Sequence, residues 1–111
     1  MINIALIGLG RIGQMHGENL ILHTDYKLKY VFDVDKKLTN KIAKKFASIS
    51  IEDPRLAFKD KEIDAIFIAS STSTHIRLIE EGAKYKKVIF CEKPLDLSID
   101  KINKCKKKIK N

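Results

Sequence analysis

The sequence predicts one α/β domain: a doubly wound parallel β-sheet with helices on both faces. Three observations carry that expectation. Short apolar runs alternate along the chain with longer segments of helical periodicity, which implies right-handed βαβ crossovers. The first apolar run breaks into a glycine-rich turn that leads straight into a helical segment. The second apolar run ends on an aspartate. With 111 residues, 44% of them hydrophobic, the chain suits a single domain over residues 1–111. A chain of that size can bury roughly two thirds of its unfolded surface.

Each element has its own sequence signal. Ile2–Ile7 is short, continuous and apolar, as a strand buried on both faces should be. Arg11–Leu22 reads as a helix, with Ile12, Met15, Asn19 and Leu20 near one stripe and His16 and His23 alongside. Leu28–Phe32 is a second strand, closed by Asp33. Asp35 fits the N-cap of a helix over Lys36–Ala47, whose inner stripe is Leu38, Ile42 and Phe46. Ser48–Ile51 has room for a brief third strand. Asp53-Pro54 is a helix-start signal, with proline at the first position of one or two turns over Arg55–Phe58. Ile63–Ala69 is the clearest strand. It runs through the hydroxyl-rich Ser70–His75 into a helix over Thr74–Lys84, with Ile76, Ile79 and Ala83 facing inward. Val88–Cys91 is a fifth strand, followed by Glu92-Lys93-Pro94. A last helix runs from a Ser98 cap through Ile99, Ile102, Cys105 and Ile109. The expected strand order is 3-2-1-4-5.

The glycine turn is Gly8-Leu9-Gly10-Arg11-Ile12-Gly13, a G-x-G-x-x-G between a strand and a helix. Alone that pattern is weak. Here Asp33 follows about 20 residues later at the end of a second strand, where a Rossmann dinucleotide fingerprint places its ribose-reading acid. Gly8 lets the chain leave the strand in a tight turn. Gly10, without a Cβ, lets a pyrophosphate approach the backbone, and Gly13 lets the helix pack close to the strand. The helix N-terminus adds free N–H groups and partial positive charge. Asp33 would accept hydrogen bonds from both hydroxyls of an adenosine ribose and repel a 2′-phosphate, which favours NAD over NADP. The plainer alternative is a βα turn that binds nothing, with Asp33 a solvated strand-end residue. Gly8–Gly13, Ser70–His75 and Glu92–Pro94 all follow strand ends, so the topology brings them to one edge of the sheet.

Composition narrows the function classes. The formal charge is +8, from 22 Lys and Arg against 14 Asp and Glu. Most lysines, such as Lys36, Lys37, Lys41, Lys44 and Lys45, are spread along helix faces, as in a solvated surface. Only Lys104, Lys106, Lys107, Lys108 and Lys110 cluster, and no aromatic residue interleaves them for base stacking. Nucleic acid is therefore not an expected partner. No stretch has the length and apolarity of a membrane span, and the first residues carry no secretion signal. Cys91 and Cys105 stand outside any C-x-x-C spacing. Together these lead to the expectation of a reducing, cytoplasmic setting. No carboxylate pair or His/Cys set has metal-ligand spacing, so no metal is expected.

The residues Gly8-Leu9-Gly10-Arg11-Ile12-Gly13 with His16, Asp33 in VFDVD, Ile68-Ala69-Ser70 leading to His75, and Phe90-Cys91-Glu92-Lys93-Pro94-Leu95 carry a resemblance. Over nearly its whole length the chain resembles the cofactor domain of the Gfo/Idh/MocA oxidoreductases, in the inositol 2-dehydrogenase-like branch. FCEKPL is the most specific of these motifs. The resemblance implies that Gly8, Gly10, Arg11, Ile12, Gly13 and Asp33 bind NAD. It places Ser70, Thr72 and His75 along the nicotinamide side, and Glu92 and Lys93 by the nicotinamide ribose. Lys93 would also reach the substrate hydroxyl as the catalytic residue, aimed by a cis Lys93-Pro94 bond. Family members often have proline where Ser71 stands, which implies a looser loop here. They also continue into a second α/β domain that carries most substrate contacts and a catalytic Asp/His pair, and that domain is not in this sequence.

The expected function is thus the NAD-binding part of an oxidoreductase that moves hydride between NAD and a sugar or polyol, inactive by itself. Substrate would be held only with a second domain, and a second copy or partner chain would cover the exposed sheet edge. The alternative is a stand-alone nucleotide-binding or redox-sensing module without catalysis. From the residues alone, Glu92-Lys93-Pro94 also reads as an ordinary charged turn, and His75 as a cap or packing residue.

Overall fold

The computed structural model describes residues 1–92, with Thr72 described by its backbone. Strand β1, Ile2–Ile7, is central. Helix α1, Arg11–Ile21, carries the chain to β2, Tyr26–Phe32, and α2, Lys36–Lys45, carries it to β3, Ile49–Ser50. Helix α3, Arg55–Lys59, then leads across to β4, Ala65–Ile68. Helix α4, Thr72–Lys84, leads to β5, Val88–Cys91. The sheet is parallel, in the order β3-β2-β1-β4-β5, as the sequence predicts. The helix expected after Ser98 lies outside the described residues.

Alternation along β1 builds both layers of the core. Ile4 and Leu6 face the side of α2, with Leu28, Val31, Ile42 and Phe46. Ala5 and Ile7 face α3 and α4, with Phe58, Ile66, Ile68, Leu78 and Ile79. Each such large side chain removed from water contributes about 2 kcal/mol, which is why the strands read as unbroken apolar runs.

Helix α1 departs from the sequence expectation. Its buried residues are Gly13 and Gly17, while Ile12, Met15 and Asn19 are exposed and only Leu20 of the expected stripe reaches the core. A Cβ on Gly17 would stand 2.5 Å from the Phe46 ring. The helix therefore packs through its backbone, and a longer inner side chain would push it off the sheet.

Other boundaries shift for local reasons. β2 starts at Tyr26, two residues before the apolar run, because Ile2 pairs with Tyr26. α2 stops at Lys45 because Ala47 takes a left-handed φ of 53°, so that the Ser48 N–H reaches back to the Ala43 carbonyl. Asp35 caps α2 as expected, its carboxylate accepting from the Leu38 N–H at 3.1 Å. α4 starts two residues earlier than predicted, at Thr72.

At the amino end of the sheet, polar groups answer one another. The Lys29 ammonium sits 2.7 Å from Asp60 and 3.1 Å from Glu62, and the Tyr30 hydroxyl donates to Asp60 at 2.6 Å. The hydrogen bond from Lys29, then that from Tyr30, hold the Asp60 carboxyl below the usual carboxylate range. The same contacts raise Lys29 above the usual ammonium range. Lys87 Nζ donates to the carbonyls of Asp60 and Ile63, and the Asn3 N–H donates to the Asp64 carboxylate.

Candidate functional site

At the opposite, carboxyl end, the three motif glycines turn out to do different things. Gly8 has φ +101°, and a Cβ there would lie 2.3 Å from the Ser70 nitrogen. A Cβ on Gly13 would lie 1.9 Å from the Gly8 carbonyl oxygen. Both are thus required by the turn and by the helix–strand contact. Gly10 is different: a Cβ there would meet nothing within 4 Å, and the residue lines an open cavity. The protein's own packing leaves room for a side chain at Gly10, so what its absence spares is something that enters the cavity.

Asp33 ties the glycine turn to the loop that leads into α2. Its Oδ2 accepts from the Leu9 N–H at 2.8 Å, and its Oδ1 accepts from the Asp35 N–H at 2.9 Å. A carboxylate offers about four acceptor positions, so each oxygen keeps capacity for a hydroxyl. The Asp33 backbone is held in turn by buried Thr39, whose hydroxyl accepts from the Asp33 N–H and lies 3.0 Å from the Asp33 carbonyl. Thr39 was not visible as a site residue in the sequence, where it reads as one polar position of α2.

The cavity encloses about 410 Å³. Of the sequence-predicted residues, Gly8, Gly10, Ile12, Asp33 and Ser70 line it together. Val34, Pro54, Arg77 and Leu78 join the wall from outside the predicted site residues, as do Ser71 and Thr74 of the hydroxyl-rich loop. Val34 is 91% exposed, an apolar side chain offered to the cavity directly beside Asp33. At the start of α4, the Ser70 and Thr74 hydroxyls are 2.6 Å apart, and Thr74 donates to the Ser71 carbonyl at 2.7 Å.

The remaining predicted residues lie elsewhere. Arg11 is on the outer side of α1, with Gln14, Met15 and Glu18. Gly13 is packed under the turn. His75 is only 2% exposed, its Nε2 2.7 Å from the Ser70 carbonyl, so it braces the β4–α4 loop from inside. Thr72 is the first residue of α4. Glu92 follows β5 and extends its pairing, its N–H donating to the Ile68 carbonyl at 2.9 Å. Its carboxylate meets Nε2 of His16. Lys93 and the Lys93-Pro94 bond lie outside the described residues. Among the described residues no group of three or more His, Cys, Asp or Glu side chains is placed to hold a metal, and no helix is long and apolar enough to cross a membrane.

Comparison with known proteins places this geometry. The sequence profile of an oxidoreductase family, NAD-binding Rossmann fold, matches residues 2–111. A myo-inositol 2-dehydrogenase of Thermotoga maritima is 38% identical over 102 residues, which is 91% of this chain and 30% of that protein. The crystal structure of a myo-inositol dehydrogenase from Corynebacterium glutamicum superposes with a TM-score of 0.94 at 34% identity, over 99% of this chain and 33% of its own. A scyllo-inositol dehydrogenase from Lactobacillus casei, solved with bound NAD(H) and scyllo-inositol, gives a TM-score of 0.90 at 29% identity, over 99% and 33%. The chain spans about a third of the length of these relatives.

Proposed function

The chain belongs to the Gfo/Idh/MocA oxidoreductase family, as its NAD-binding Rossmann domain, and from that premise we propose that the carboxyl-edge cavity holds NAD for an enzyme acting on a sugar or polyol of the inositol class. Gly10 is the observation that carries this reading. It is the one motif glycine whose missing side chain the protein itself does not need, and it faces the cavity. The pyrophosphate lies against Gly10 and the first N–H groups of α1. The adenosine ribose lies at Asp33, with its base against Val34 and Pro54. When bound, the cofactor supplies the carbon that takes up or releases hydride. In this reading Glu92 stands by the nicotinamide ribose and Ser70 lines the nicotinamide side. Lys93 polarises the substrate hydroxyl, an assignment that rests on the FCEKPL resemblance.

NAD is preferred over NADP, because the Asp33 carboxylate repels a 2′-phosphate. Calorimetric titration of the chain with NADH and NADPH, beside Asp33→Ala, tests this. The expected result is tighter NADH binding that the substitution weakens. Equal affinity for both cofactors, unchanged by the substitution, would overturn it. The 111 residues bind the dinucleotide and turn over polyols negligibly by themselves, so polyol-dependent NADH formation by the pure chain would contradict the proposal. Val88 and Phe90 on β5, the latter 55% exposed, form an apolar edge that supports cover by a second copy or a partner chain. Sedimentation as a monomer at high concentration would count against that.

A further inference from the structure

We infer that His16 is a positioning residue for the nicotinamide half of the dinucleotide, acting through Glu92; this rests on the cofactor assignment above. The four strand ends that carry the site run in spatial order. Asp33 follows β2, Gly10 follows β1, Ser70 follows β4 and Glu92 follows β5. A dinucleotide with its adenosine ribose at Asp33 and its pyrophosphate at Gly10 can extend only toward β4 and β5. Glu92 is therefore the acid at the far end of the ligand, as Asp33 is at the near end.

Asp33 is fixed by backbone N–H groups. The Glu92 carboxylate meets, among its contacts, a side chain that starts on another element. His16 stands three residues past Gly13 on α1, and its ring lies over Phe67 of β4, with centroids 4.5 Å apart. Phe67 in turn stacks on Phe90 of β5 at 5.9 Å. That stack turns Nε2 of His16 toward Glu92 Oε1, and the two side chains are 21% and 33% exposed. The contact spans 76 positions in sequence. It couples the helix whose N-terminus faces the phosphates to the strand end that faces the second ribose. Whether the imidazole is neutral with Nε2–H or protonated, it donates to the carboxylate. Without that donor the carboxylate loses its tie to α1, and its acceptors are no longer aimed from that side at the ribose.

A packing role would need only an apolar side chain over Phe67, so substitutions separate the two roles. Wild type, His16→Leu, His16→Gln, Glu92→Ala and the double variant His16→Leu/Glu92→Ala are each titrated with NADH and with ADP-ribose, which lacks the nicotinamide. Thermal unfolding is followed in parallel. His16→Leu keeps the contact with Phe67 and is expected to weaken NADH about fivefold to tenfold, while ADP-ribose changes by less than about twofold. His16→Gln restores a donor and is expected to stay near wild type. The double variant is expected to bind no more weakly than Glu92→Ala alone, since coupled residues are not additive. Parallel loss of both ligands, no loss of either, a failure of Gln to rescue, or additive losses would each overturn the inference. Wild type that binds neither ligand would overturn the cofactor assignment itself, and this inference with it. Wild type that binds both, with unchanged variants, would remove only the role of His16.

Discussion

The two ends of the sheet are built on opposite principles. At the amino end, Lys29, Tyr30, Asp60, Glu62, Lys87, Asn3 and Asp64 meet one another in ion pairs and hydrogen bonds. At the carboxyl end, polar groups are positioned and left with capacity to spare. Asp33 is held by two N–H groups yet lines an open cavity, Gly10 faces empty space, and Val34 is exposed beside them. The same strands supply both ends, so the difference is not one of stability along the sheet. One end closes the fold and the other is prepared for a ligand, as parallel sheets place ligands beyond the carboxyl ends of their strands.

The contrast can be broken most severely at Gly13. Alanine there would drive its Cβ into the Gly8 carbonyl, and a loss of about 3 kcal/mol in unfolding free energy by denaturant titration is expected. Gly10 sharpens it. Gly10→Val is expected to leave unfolding free energy within about 0.5 kcal/mol of wild type. NADH affinity should nevertheless fall at least about tenfold, or 1.4 kcal/mol, by calorimetry. Thr39→Val removes the buried hydroxyl that both accepts from and donates beside the Asp33 backbone. A cost of about 1–2 kcal/mol in stability is expected, with weaker NADH binding as Asp33 loosens. The smallest effect belongs to the amino end. Asp60→Asn is expected to lower the melting temperature near neutral pH while leaving NADH affinity unchanged. Because the folded Asp60 carboxyl titrates below its unfolded value, it stabilises the fold above pH about 4 and loses that contribution as pH falls through its folded value. The gap between wild type and variant should therefore close on acidification.

Much of this was legible in the sequence because it is local. Strands buried on both faces leave unbroken apolar runs, and the G-x-G-x-x-G pattern, with Asp33 at its usual distance, names one corner of the cavity. Asp35 announces its own cap. Helix α1 was misread for a physical reason: it packs through Gly13 and Gly17, so its apolar residues Ile12 and Met15 stand on the outside, where periodicity points the wrong way. The rest of the cavity wall joins residues that meet only in the folded chain. Pro54 comes from the start of α3, Thr74, Arg77 and Leu78 from α4, and no local pattern connects them to Val34. His16 and Glu92 were each visible as residues of interest, but nothing in a linear reading pairs positions so far apart.

The most direct test is to map the ligand on the protein by NMR, titrating the ¹⁵N-labelled chain with NADH. Amide shifts are expected at Gly8, Gly10, Asp33, Val34 and Ser70, with Asn3, Lys29, Asp64 and Lys87 at the other end of the sheet unmoved. Shifts centred on the amino end, or none at millimolar NADH, would contradict a dinucleotide site at the carboxyl edge.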